Sequence, residues 1–136
     1  MSQVQIVPPM YVNSVWGKVE PFLVSGLKRS GGEYSAEHLK VYVIKGMQSL
    51  LVAVEDGEIH GAATVEWTTF PNETIAFITA VGGKMLANKE VLQQVEDWAK
   101  QNGATMIRGA CFESVAKLWK KAHNYEQRYI IVEKKL

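Results

Sequence analysis

A single cysteine, Cys111, stands among the 136 residues, so the chain can close no internal disulfide and build no zinc site from cysteines. Histidine is nearly as scarce. His38, His60 and His123 lie far apart and form no HExxH-like spacing, which argues against a metal enzyme. Charge of one sign is lacking too: 15 basic and 14 acidic side chains leave a formal +1. Nothing in that balance draws the chain to nucleic acid or to an anionic membrane. The longest apolar runs, Val41 to Ile44 and Leu50 to Val54, fall far short of the ~20 residues that span a bilayer. The opening MSQVQIVPPM has neither the basic nor the apolar region of a signal peptide. With a lone cysteine, the expected location is the reduced cytoplasm. Repeats, low-complexity tracts and breaks in composition are missing, so residues 1–136 are expected to form one domain. No P-loop, Rossmann glycine run or Gly-x-Ser-x-Gly elbow is found.

What is present is an ordinary globular composition, 47% hydrophobic, 10% aromatic and 21% charged. A chain of this length buries roughly two-thirds of its unfolded surface, enough for a core without staples. Its charge is unevenly placed. Residues 1–83 carry 5 basic and 8 acidic groups, and residues 84–136 carry 10 and 6. The positive C-terminal half suits an anionic ligand.

Hydrophobic spacing lays out the elements. Val4 to Val7 reads as a short strand closed by Pro8-Pro9. Val12, Val15, Trp16, Val19, Leu23 and Leu27 keep a helical spacing up to Ser30-Gly31-Gly32, with Pro21 expected to kink or split that helix. Ser35 caps a second helix that stops at Gly46. Ser49 to Glu55 and Glu58 to Phe70 are strands joined by Asp56-Gly57, a strong two-residue hairpin signal. Pro71-Asn72 turns the chain into a third strand, Glu73 to Val81, ending in Gly82-Gly83. In the long strand Ala63, Val65, Trp67 and Thr69 point one way. His60, Ala62, Thr64, Glu66 and Thr68 point the other, toward an expected wet face. Asn88 caps the best-defined helix, with Val91, Leu92, Val95, Trp98 and Ala99 inward and Gly103 as its stop. Thr105 to Cys111 reads as a strand, and Glu113 to Ala122 as a helix with Val115, Leu118, Trp119 and Ala122 inward. Asn124 is a left-handed cap, and Tyr125 to Glu133 a last strand. The fold class is α/β (α+β): a mixed central sheet of about six strands with helices on both faces, in the order (β)αα-βββ-α-β-α-β.

That order resembles the GNAT (N-acetyltransferase) superfamily, and particular residues carry the likeness. Leu50 to Ala62 (LLVAVEDGEIHGA) looks like the family's paired strands around a DGxIVG turn. Ala116 to Tyr125 (AKLWKKAHNY), with the β-run and Glu133-Lys134-Lys135-Leu136 after it, looks like the family's A-x-x-L-Y-x-x-x-G-F ending and K-x-L terminus. The likeness covers residues 4–136. It is closest to the short, divergent GNAT-like proteins of tailed bacteriophages, through Val7-Pro8-Pro9, Val15-Trp16, Val19-Glu20-Pro21-Phe22-Leu23 and Ser30-Gly31-Gly32.

The resemblance implies acetyl transfer from acetyl-CoA to an amine by direct attack, with a small molecule or a protein as acceptor. Its alternative is a catalytically degenerate GNAT-fold phage protein serving as a binding or virion-associated module. A homodimer, or a virion or host protein, is the partner it suggests. In the family a glycine-rich Q/R-x-x-G-x-G/A loop opens a helix and holds the coenzyme pyrophosphate on backbone N–H groups. Here that stretch is Val81, Gly82, Gly83, Lys84 and Met85, without the full pattern. It can be an anion nest with Lys84 adding charge, or a glycine turn at a strand exit. Lys120 stands where the family has its tyrosine general acid. It reads either as a proton donor or as a solvated lysine that touches coenzyme phosphate. Glu113 replaces the asparagine that contacts pantetheine.

Glu66, mid-strand on the polar side, is the candidate general base; its ordinary reading is a solvated or paired carboxylate. His60 can share that role or be merely exposed. Cys111 can be an acyl relay or a small hydrophobe. Trp16, Trp67, Trp98 and Trp119 are packing residues first. Lys117, Lys120, Lys121 and Arg128 form a basic helix face open to an anionic coenzyme.

Overall fold

The computed structural model describes residues 2–136. Five strands form one sheet in the order β1-β2-β3-β4-β5: Gln3–Val7, Gln48–Glu55, Glu58–Thr69, Thr74–Gly83 and Met106–Gly109. The first four pair antiparallel and β5 runs parallel to β4. Turn chemistry explains the meander. Asp56 and Gly57 both take positive φ, 52° and 77°, as a tight primed hairpin demands. Phe70 and Glu73 exchange backbone hydrogen bonds of 2.7 and 3.3 Å at the next turn. A parallel pair needs a crossover, and α3 (Lys84–Ala87) with α4 (Lys89–Gln101) supplies it.

The helices begin where side chains can cap them. Ser35 accepts the His38 N–H at 3.3 Å while His38 Nδ1 accepts the Ser35 N–H at 3.1 Å, a reciprocal cap for α2 (Ala36–Ile44). Asn88 Oδ1 accepts the Val91 N–H at 3.1 Å and starts α4. At the far end of α5 (Glu113–His123), Asn124 has φ 60° and its N–H reaches the Trp119 carbonyl. Helix α1 runs unbroken from Val12 to Leu27 through Pro21, so the expected split does not occur. Pro21 removes the hydrogen bond to the carbonyl of Gly17, and both residues lie on the solvent side, where water can take that bond.

Each face of the sheet carries a core. Leu51, Ala53, Ala63, Val65 and Ile78 pack under α4 and α5 with Val91, Val95, Val115 and Trp119. Leu50, Val52, Ala62 and Ala80 pack under α1 and α2 with Val12, Trp16, Val19, Leu23, Leu39 and Val43. Covering on both sides is why β2 reads as a continuous apolar run. It also overturns the expected wet face of β3, since Ala62 and Thr64 are fully buried beneath α1 and α2.

Among the described residues five strands are found, and no sixth over residues 125–133. Tyr125 is held back instead: its ring lies 5.1 Å from that of Trp119 and its hydroxyl donates to Glu96 of α4 at 2.9 Å. A β-prone run becomes a strand only when a neighbouring ladder is within reach. No helix among the described residues is long and apolar enough to cross a membrane.

Candidate active site

The site begins with a skipped residue in β4. Thr64 pairs with Ala80 but Val65 with Ile78, so Thr79 is left over as a bulge. Bulges bend a strand and re-aim its side chains. Pairing between β4 and β5 stops at Ile78 and Gly109, while β4 continues to Gly83. The two strands therefore part at the bulge and leave a wedge.

A buried polar network sits at the fork. Thr79 Oγ1 lies 2.7 Å from Thr64 Oγ1, donates to Gln48 Oε1 at 2.7 Å, and is 3.2 Å from the Thr64 carbonyl. All three residues are buried, and buried hydroxyls persist only when so satisfied. Sequence reading missed this set because threonine is common in strands. Only the partner strands mark these three.

Glu66 lies next to the network, in register with Gln48 on one side and Phe77 on the other. Its Oε2 accepts a long hydrogen bond of 3.4 Å from the Tyr34 hydroxyl. Tyr34 comes from the loop between α1 and α2, with its ring edge-on to Tyr42 at 6.0 Å. Partial burial, and then the Glu66 carboxylate, push the Tyr34 phenol above its usual range. It stays a proton donor to Glu66 at neutral pH. His60 is not part of this group. It is the extra residue of a second bulge, where Ala53 pairs with Gly61 and Val54 with Ile59, so the alternation from Glu66 does not run through it.

The glycine stretch is explained first by close approach. A Cβ on Gly82 would lie 2.1 Å from the Phe22 carbonyl oxygen, and one on Gly26 2.3 Å from that of Val81. Helix α1 thus lies directly on β4. Gly83 ends the strand with φ 66° and opens α3 without a side-chain cap. The backbone nitrogens of Lys84 and Met85 both lie 2.9 Å from where a Cβ on Gly61 would stand, so these amides face β3. Lys84 forms an ion pair with Glu55, with Ser2 Oγ 3.4 Å from its ammonium. Met85 is buried in the core under α4 and α5.

Trp119 fills the wedge. It is buried, its Nε1 donates to the Leu86 carbonyl at 2.8 Å, and its ring reaches 3.2 Å from a Cβ built on Gly109. The space left is about 30 Å³, one water's share of liquid volume. One indole occupies the gap between the parting strands. Lys120, the next residue, is exposed, as is Glu113 at the start of α5, which faces Lys117 at 3.6 Å. Cys111 sits at the exposed turn before α5, and desolvation of its sulfur pushes the thiol up, the reverse of what a nucleophile needs.

Solved structures share this fold. The aminoglycoside acetyltransferase meta-AAC0020, from an uncultured soil metagenomic sample and solved with sisomicin, matches with a TM-score of 0.71 at 10% identity, over 99% of this chain and 96% of its own. The ribosomal-protein-alanine N-acetyltransferase of Brucella melitensis biovar Abortus 2308 matches with 0.64 at 12% identity, over 98% and 100%. The chain has the fold of the GNAT acetyltransferases. A further GNAT-fold protein, a predicted acetyltransferase of Clostridium acetobutylicum solved with acetyl-CoA, matches with 0.66 at 11% identity, over 99% and 96%. No protein-family model matches the sequence, and no curated protein does.

Proposed function

We propose that the chain is an acyl-CoA-dependent N-acetyltransferase that passes an acetyl group to an amine by direct attack. The observation that carries this is the fork itself. On a GNAT fold, β4 and β5 part at the Thr79 bulge, with a satisfied polar network behind it and the Glu66 carboxylate in register beside it. When bound, acetyl-CoA supplies the thioester. Glu66 would take the proton of the attacking amine, directly or through one water, while the thioester C–S bond breaks and CoA leaves as a thiolate that solvent protonates. Tyr34 holds that carboxylate in place. Beyond Ile78 the β4 backbone is unpaired by β5, and N–H groups on that edge are placed to hold an acyl carbonyl. Lys120, with Lys117 and Lys121, offers positive charge on α5 for the coenzyme phosphates.

Isothermal titration with acetyl-CoA and with CoA tests the reading. Saturable micromolar binding is expected. With a responding amine from an acceptor screen, Glu66→Gln should keep that binding within twofold and lower turnover by ~10²–10⁴, the usual cost of removing a general base. No heat at millimolar acetyl-CoA overturns it. The second reading, a degenerate GNAT-fold binding or virion-associated protein of a phage, gains support from two contacts. Trp119 occupies the wedge, and Glu55 already engages Lys84. Absence of coenzyme binding, with a stable fold, is what that second reading expects.

A further inference from the structure

On the side of the sheet that α1 and α2 cover, the helices stop short of the wedge. The core beneath them takes Ala80 from β4 and nothing from β5. Past that line Glu66 of β3, Phe77 of β4 and Arg108 of β5 are direct partners across the sheet, so their side chains stand on one face. The neighbouring row of Trp67, Ala76 and Ile107 faces the other way, into the core under α4. Glu66, Phe77 and Arg108 are each half-buried. They lie one position before Ile78 and Gly109, the last pair ahead of the fork.

The row has a carboxylate at one end, an aromatic ring in the middle and a guanidinium at the other. Arg108 is loosely held. Its Nη1 lies 3.5 Å from the Tyr129 hydroxyl, and its Nη2 lies 3.5 Å from Glu73 Oε2 and 3.7 Å from the Met106 sulfur. Charge-assisted bonds close to about 2.7–2.9 Å when fully made, so this planar donor fork keeps capacity for another carboxylate. Glu73 is the chain's own acid at that guanidinium. We propose that the acceptor is an aliphatic amine carrying a carboxylate, with its nitrogen at Glu66, its chain across Phe77 and its acid on Arg108. The inference rests on the acetyl-transfer reading and names the substrate class for it. Two strand spacings set the ends of the row roughly 10 Å apart at the backbone. Hydrogen bonds of about 3 Å at one or both ends leave roughly 4–7 Å between nitrogen and acid, about three to five bonds. A diamine of that length gains nothing at Arg108, where like charges repel.

Titration of the full chain without coenzyme, using 5-aminopentanoate, pentylamine and 1,5-diaminopentane, reads the acid subsite alone. The amino acid should bind at least about tenfold more tightly than either amine, as a hydrogen bond to a charged group allows. Arg108→Gln should abolish that preference with an unchanged circular-dichroism spectrum. Glu73→Gln gives an independent readout. Releasing Arg108 from its internal acid should tighten 5-aminopentanoate by about two- to fivefold, the range of a partly exposed pair. Equal binding of the three compounds, none by any of them, or tighter binding of the diamine overturns the proposal. So does an Arg108→Gln chain that keeps the preference, or a Glu73→Gln chain that binds no more tightly than wild type. The acetyl-transfer reading fails separately. If acetyl-CoA gives no heat, that reading falls, and the coenzyme-free titration still decides the subsite. If acetyl-CoA binds but 5-aminopentanoate releases no CoA, that reading stands and the acceptor assigned here is wrong.

Discussion

Glu55 and Lys84 show how much a single pair can do, and how little of it is written locally. They are 29 positions apart, one at the end of β2 and the other just past β4. Hydrogen bonding to the Lys84 ammonium is the main reason that the Glu55 carboxyl titrates at about 2 instead of 4.5. A carboxyl whose pKa falls on folding adds stability above its unfolded value and loses that contribution as the pH drops through its folded value. The pair's contribution is therefore complete above about pH 4.5 and gone below about pH 2. Urea midpoints measured at pH 7 and at pH 2 should differ less for Glu55→Gln than for wild type. Added salt should narrow the wild-type difference, because both groups meet solvent. Glu66 is the contrasting residue. Its place mid-strand was legible from alternation, but its neighbours Tyr34 and Gln48 come from a loop and a strand that only folding brings near.

At the scale of elements, the seat of α1 on β4 decides the site's shape. Gly26 falls on the inward stripe of α1 with Val19 and Leu23, and a glycine there signals a backbone close by. That signal was available in the sequence. What it touches was not, because helix periodicity fixes a face and not the face's partner. Gly82→Ala puts a methyl against the Phe22 carbonyl and should cost at least the ~1–3 kcal/mol of an overpacked core. Gly17→Ala, on the same helix with nothing within 4 Å of the new methyl, should gain up to ~1 kcal/mol from helix propensity. Urea denaturation of the two variants checks both signs. The elements themselves were mostly readable: caps at Ser35 and Asn88, the Asp56-Gly57 turn and the amphipathic stripe of α4 are local chemistry. The last strand was misjudged for a physical reason, since β-propensity at Tyr129 to Val132 states what the run prefers but not where a ladder waits for it.

In the whole molecule, the sheet separates two cores, and Trp119 sits in one of them while closing the wedge between β4 and β5. Its substitution reads both roles at once. Trp119→Ala should lower stability by ~3–5 kcal/mol, as large-to-small changes in cores do. It should also enlarge the wedge beyond its present 30 Å³ or so, and a pantetheine arm then enters without moving an indole. Acetyl-CoA titration should show at least tenfold tighter binding than wild type if the wedge is the thioester slot. Unchanged binding would place the coenzyme elsewhere.

The sequence by itself determined most of the element order as far as α5 and the GNAT-like layout, because turn residues, caps and hydrophobic periods act over a few positions. Tertiary structure decided the rest. It placed Thr79 as the leftover residue of a bulge, because register depends on the partner strand. It joined Gln48, Thr64 and Thr79 into one network, because a buried hydroxyl must find whatever acceptor the fold supplies. It turned the Gly82-Gly83 pair into the bed of a helix, and it sent Trp119 into the wedge. These are long-range facts of packing, fixed only when strands and helices that are distant in the chain come into contact.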